Sequence, residues 1–175
     1  MTLPSAEAIS RNLRDLFAKP APVKAGGALP VAKVAFVAVY VDPEGTPRAL
    51  GLADMEFAAF AGAALAMIPA GVAMESVKRR KLEDNLKENF YEVVNILAAA
   101  INVASGGHVR VNALVAPNAV PADAQSLLKK PSQRVDFEVT IPPKRQRFRA
   151  AVNSASSLAS CSSSRAACPV SSALV

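Results

Sequence analysis

Leu82–Ala104, LEDNLKENFYEVVNILAAAINVA, is the longest segment of the chain that reads as a single helix. Leu86, Phe90, Val93, Val94, Leu97 and Ile101 recur at spacings of three and four, so at about 100° per residue they share one face. Glu88, Glu92 and Asn95 fall at i, i+4 and i+7 on the opposite side, which places two carboxylates and a carboxamide in one stripe. The seam predicts a helix laid on a larger apolar body. The stripe is either a solvated surface or a working one. Glu suits an exposed helix position, whereas Asn costs on the order of 0.7 kcal/mol relative to Ala in a helix interior. Asn102 lies two turns on and shows that this side accepts Asn more generally.

Outward from that helix, Val31–Val41, VAKVAFVAVYV, is β-branched and apolar at nearly every position, the pattern of a central strand covered on both faces. Asp42-Pro43-Glu44-Gly45 is a turn, and Arg48–Leu52 runs back as the partner strand. Asp54 is placed to cap a helix reaching about Ile68, with Glu56 in its first turn; Ala58, Ala61, Gly62 and Ala66 give that helix a face a second backbone can approach. Val72–Lys81 is a further helical stretch ending in Lys78-Arg79-Arg80-Lys81, a run read as a solvated face in preference to a phosphate site. Gly106-Gly107 stops the long helix, His108–Val115 alternates as a strand, Ala122–Lys130 makes a short helix, and Val135–Ile141 alternates as the last strand. Pro142-Pro143 closes the domain. Before all of this, Ser5 to about Ala18 is an amphipathic helix, and Pro20, Pro22, Gly26, Gly27 and Pro30 form a linker.

The expected organisation is therefore an N-terminal helix and linker over residues 1–30, a domain over 31–143, and a tail over 144–175. The fold class is α/β (α+β), with an antiparallel or mixed sheet packed against two central helices. The tail begins with KRQRFR, and residues 150–175 hold nine Ser and seven Ala without periodicity, so a disordered or weakly helical segment is expected there.

The charge balance narrows the function classes. The chain carries a formal +6, but five basic and no acidic residues lie from Lys144 onward, leaving the first 143 residues with 15 basic and 14 acidic side chains. A nearly neutral domain without a base-reading motif is not expected to bind nucleic acid. Attachment of KRQRFR to an anionic surface is kept as an alternative to a solubilising tail. Phe57–Met74 is 18 residues without a charge, but Ala and Gly dominate it and Pro69 and Gly71 interrupt it, so a buried helix followed by a turn is expected and a membrane span is not. No signal-like segment opens the sequence, and the cytoplasm is the default compartment. Cys161 and Cys168 both lie in the tail without a metal-ligand spacing, and His108 is the only histidine, so neither a disulfide framework, a metal cluster nor a Ser/His triad is expected.

What remains is Glu92-x-x-Asn95 on a central helix, followed by a strand and Pro117. This pattern resembles the active-site motif of the CheC/CheX/FliY chemotaxis phosphatases, in which Asp or Ser is followed after three intervening residues by Glu, then after two by Asn, and then after about twenty-two by a proline. The Ala/Gly-rich helix ahead of the motif is similar too. The resemblance spans roughly residues 31–142 and implies a cytoplasmic, CheX-like domain of two-component signalling. Such a domain docks on a phosphorylated response-regulator receiver and hydrolyses its aspartyl phosphate.

It implies catalytic roles for Glu92 and Asn95, with Asn95 holding water in line and Glu92 pairing with the regulator's lysine. Glu88, Ala99 and Pro117 are the matching partner-contact positions. No cofactor of its own is implied, since the regulator supplies the metal ion. The sequence departs from the pattern in two places. Glu88 replaces the usual Asp or Ser, and Ala99-Ala100 replaces a Gly-Asn pair, so two methyls are expected to meet an approaching partner. A catalytically inactive module of the same fold, pairing edge strands into a homodimer, is the alternative use.

Overall fold

The computed structural model describes residues 2–142 and 144–152, the last nine by their backbone alone. Its centre is a hairpin of β2 (Val34–Val41) and β3 (Pro47–Asp54), the strand pair that the apolar run and its Asp-Pro-Glu-Gly turn predict. Asp42 fastens the turn. Its Oδ1 accepts from the Thr46 N–H at 2.8 Å and its Oδ2 from Arg48 Nε at 2.6 Å, while Gly45 supplies the positive φ of 84° that closes the chain. Desolvation works to raise the Asp42 carboxyl, but the Thr46 N–H and the Arg48 guanidinium outweigh it and hold the group below the usual carboxylate range.

β2 is apolar throughout because it feeds two cores. Ala38 and Tyr40 enter one; Val37, Val39 and Val41 enter the other, with Leu29, Leu50, Leu52, Val120 and Leu127.

Among the described residues six strands form one sheet, every neighbouring pair antiparallel, in the order β1-β5-β6-β3-β2-β4, where β1 is Val23–Ala25, β4 Arg110–Val115, β5 Gln133–Ile141 and β6 Lys144–Val152. Two sequence expectations are corrected here. The linker over 20–30 contains β1, which pairs with β5. More consequentially, the domain does not close at Pro143. Lys144–Val152 lies inside the sheet between β5 and β3, and Pro142 falls at the turn of a β5–β6 hairpin. Register opposes Arg147 to Glu138, Arg149 to Asp136, and Phe148 to Phe137, so two of the four cations of KRQRFR have acidic partner positions across the ladder. A tail reading of residues 144–152 is therefore displaced. The remainder of the expected tail, including Cys161 and Cys168, lies outside the described residues.

One face of the sheet carries α1 (Ala6–Phe17), α2 (Met55–Leu65), α3 (Ala70–Arg79) and α4 (Asp84–Ser105); α5 (Gln125–Lys129) covers part of the other. Ser5 caps α1, and Asp54 caps α2 by accepting the Phe57 N–H at 2.6 Å. α2 is nearly all buried and ends before Pro69, as the uncharged run suggested, and among the described residues no helix is long and apolar enough to cross a membrane.

α4 is fixed by three contacts. A Cβ on Gly62 of α2 would lie 2.4 Å from the Leu86 carbonyl oxygen, so the two backbones meet where only hydrogen fits. The Phe90 ring stands edge-on to Phe57 at 5.7 Å and tilted against Phe36 at 6.0 Å. Finally, the buried Tyr40 hydroxyl donates to the Val94 carbonyl at 2.9 Å. Burial raises the pKa of that phenol, which keeps it a donor.

Gly62→Ala tests the backbone contact. An exposed helical Gly→Ala change gains about 1 kcal/mol from propensity, whereas here forced separation of the helices is expected to destabilise by about 1–3 kcal/mol net in denaturant unfolding.

Candidate functional site

The inner seam of α4 settles the orientation of its outer face. Leu86, Phe90, Val93, Val94, Leu97 and Ile101 are all buried, and Glu88, Glu92, Asn95 and Ala99 are exposed on the far side. Among the described residues none of Glu88, Glu92 and Asn95 forms a hydrogen bond or an ion pair by its side chain. Ala100, by contrast, is buried at 4% exposure, so one methyl and not two lies in the path of a partner.

Asn102 has a different role from the one its position on the wheel suggested. Its Nδ2 donates to the Val109 carbonyl at 3.0 Å and its Oδ1 accepts from the Val109 N–H at 2.6 Å. This two-point clamp ties the end of α4 to the chain entering β4, just after Gly106 terminates the helix with a φ of 62°. It is a structural asparagine, and Asn95 alone belongs to the free stripe.

A cleft of about 650 Å³ opens between α4 and β4, lined by Asp84, Lys87, Glu88, Asn89, Tyr91, Glu92 and Leu114. It brings Glu88 and Glu92 together with two half-buried apolar side chains, Tyr91 and Leu114, that the sequence reading did not single out. Neither Asn95 nor Pro117 lines it. Pro117 is half-buried and opens a short 3-10 turn, Pro117–Ala119, beyond β4.

His108 is exposed in the loop ahead of β4 and not on the strand, which begins at Arg110. Of the basic run after α3, Lys78 and Arg79 pair with Glu75 on the helix surface. Among the described residues no group of three or more His, Cys, Asp or Glu is placed to hold a metal ion.

The chemical capacity of the stripe follows from its residue types. A rigidly mounted exposed carboxamide can donate to and accept from one water or one partner group, and adjacent carboxylates accept from a cation. Two carboxylates side by side also repel a lone phosphate, so a phosphoryl group could approach only in the company of positive charge.

The contrast between the two asparagines is measurable. Asn102→Ala should destabilise by about 1–3 kcal/mol through the unpaired Val109 backbone groups. Asn95→Ala should leave stability unchanged within about 0.5 kcal/mol in the same unfolding assay.

No family model and no curated protein matches the sequence. Solved structures do. A chain of the H. pylori FliM–SpeE complex aligns over 85% of this chain and 81% of its own length, with a TM-score of 0.59 at 10% identity. A chain of the H. pylori FliG–FliM complex gives 0.56 at 11% identity over 85% and 86%. FliY of Thermotoga maritima gives 0.52 at 12% identity over 86% and 85%. At these identities the likeness is one of fold. The chain has the fold that FliM and FliY share, the one its Glu92-x-x-Asn95 motif resembles.

Proposed function

We propose that the outer face of α4 is a docking surface for the phosphorylated receiver domain of a response regulator, and that Asn95 acts there on the aspartyl phosphate. The observation that supports this reading most is the exposure of Glu92 and Asn95 one turn apart on a helix whose opposite side is locked into the core. A side chain that must place a water needs a mounting that does not move, and α4 supplies it.

In this reading the water oxygen attacks phosphorus, the bond from phosphorus to the aspartyl oxygen breaks, and the products are inorganic phosphate and the free carboxylate. Asn95 orients the water. Glu92 accepts a hydrogen bond from the regulator's lysine and fixes the approach. The regulator brings the cations that the two carboxylates of the stripe require, which accounts for an acidic surface being used on a phosphate.

Asn95→Ala should abolish any acceleration of phosphate loss from a phosphorylated receiver while leaving the fold intact. Glu92→Ala should weaken docking. A rate of phosphate loss unchanged by Asn95→Ala contradicts the catalytic role.

A second reading is favoured by one observation: among the described residues β4 pairs with β2 on one side only and ends the sheet. The same domain would then be a non-catalytic module joined through that edge to a second copy or another chain. Association that survives Asn95→Ala but is lost when the edge is blocked, for example by Asn112→Lys, belongs to this use.

A further inference from the structure

The exposed line on α4 does not stop at Asn95. Glu88, Glu92, Asn95, Ala99 and Val103 succeed one another at steps of four, three, four and four, and all five are exposed. At 1.5 Å per residue they form a strip about 22 Å long. Its two halves differ in kind. The N-terminal half carries the carboxylates of Asp84, Glu88 and Glu92 against the single cation of Lys87. After Glu92 no charged residue occurs until Arg110, and the only histidine, His108, lies outside the helix.

Val103, in that uncharged half, is 86% exposed. A solitary exposed aliphatic residue is ordinary on a protein surface, but the surroundings here are not. The exposed sides of α1 and α3 carry Glu7, Arg11, Arg14 and Asp15, and Glu75, Lys78 and Arg79. From Asn95 to Val103, about two and a half turns, α4 presents only Asn, Ala and Val to solvent at its most exposed positions. A β-branched residue is also a weak helix former, so local propensity does not favour Val103 there.

We infer that the docking face extends along this whole strip, and that its partner surface pairs a lysine or arginine with Glu88 and Glu92 and an apolar side chain with Ala99 and Val103. The inference rests on the docking reading given above and adds the partner's shape to it. The distance from Glu92 to Val103 along the helix sets the separation of the two partner features at about 16 Å. Charge complementarity selects the acidic end for the cation, and the uncharged end accepts the apolar group without leaving a charge buried and unpaired. Because the ends are unlike, the partner can lie along α4 in one direction only, which directs its phosphoryl group to Asn95 in the middle of the strip. Val103 and Ala99 are thus specificity-determining contacts, not catalytic residues.

The test is binding of a receiver domain held in its phosphorylated state by beryllofluoride, measured by calorimetry for wild type, Val103→Asp and Ala99→Asp, with circular dichroism melts as fold controls. Both positions are on the solvent face, so the aspartate variants should melt as wild type does. They should bind about tenfold more weakly or worse, the loss expected when a charge is placed in an apolar contact. Wild-type binding that both aspartate variants retain within about twofold overturns this inference and leaves the docking reading standing. Absence of binding by the wild type overturns the docking reading, and this inference with it.

Discussion

The close approach of α2 and α4 at Gly62 is the constraint from which the rest of the outer surface follows. With the Leu86 carbonyl seated where a side chain would otherwise begin, α4 has no freedom to roll or lift. The Tyr40 hydroxyl on the Val94 carbonyl then pins the same helix to the sheet one residue before Asn95. Phe90, held between Phe36 and Phe57, fixes the turn between those two points. Close-packed interiors transmit such restraints without slack, so the direction in which Glu92 and Asn95 point is decided by residues on the opposite side of the helix.

This division of one helix into a locked side and an open side explains why the site is a surface and not a pocket. The cleft beside Glu88 and Glu92 is shallow, shared with Lys87 and floored by Tyr91 and Leu114. It offers no enclosure for a small substrate. Negative charge on that surface also excludes a free anion by simple repulsion, whereas a protein carrying its own cations to the same place is favoured.

Much of this architecture was legible in the sequence, because several of its causes are local. The three-and-four spacing of Leu86 to Ile101, the unbroken apolar run of β2, the Asp-Pro-Glu-Gly turn, and the cap Asp54 each state a structure within a few residues. The small face of α2 was visible as composition, and Gly62 turned out to be its working member. What was not legible depends on partners distant in the chain. β6 looked like a basic tail because three of its arginines sit in a charge run, and only the register against β5 sets two of them, Arg147 and Arg149, opposite Glu138 and Asp136. β1 is three residues in a Pro/Gly segment and exists as a strand only through β5. Asn102 could not be separated from Asn95 by helical position, since the difference is a clamp on Val109 across a turn.

The most direct measurement is nuclear magnetic resonance of the labelled protein during titration with a receiver domain trapped in its phosphorylated state. If the outer face of α4 is the docking surface, the largest changes will fall on the Asn95 side-chain amide and the backbone amides from Glu88 to Val103, with little change at the buried amides of Val37 and Val39. Changes centred on the free edge of β4, with the α4 resonances unmoved, would contradict it.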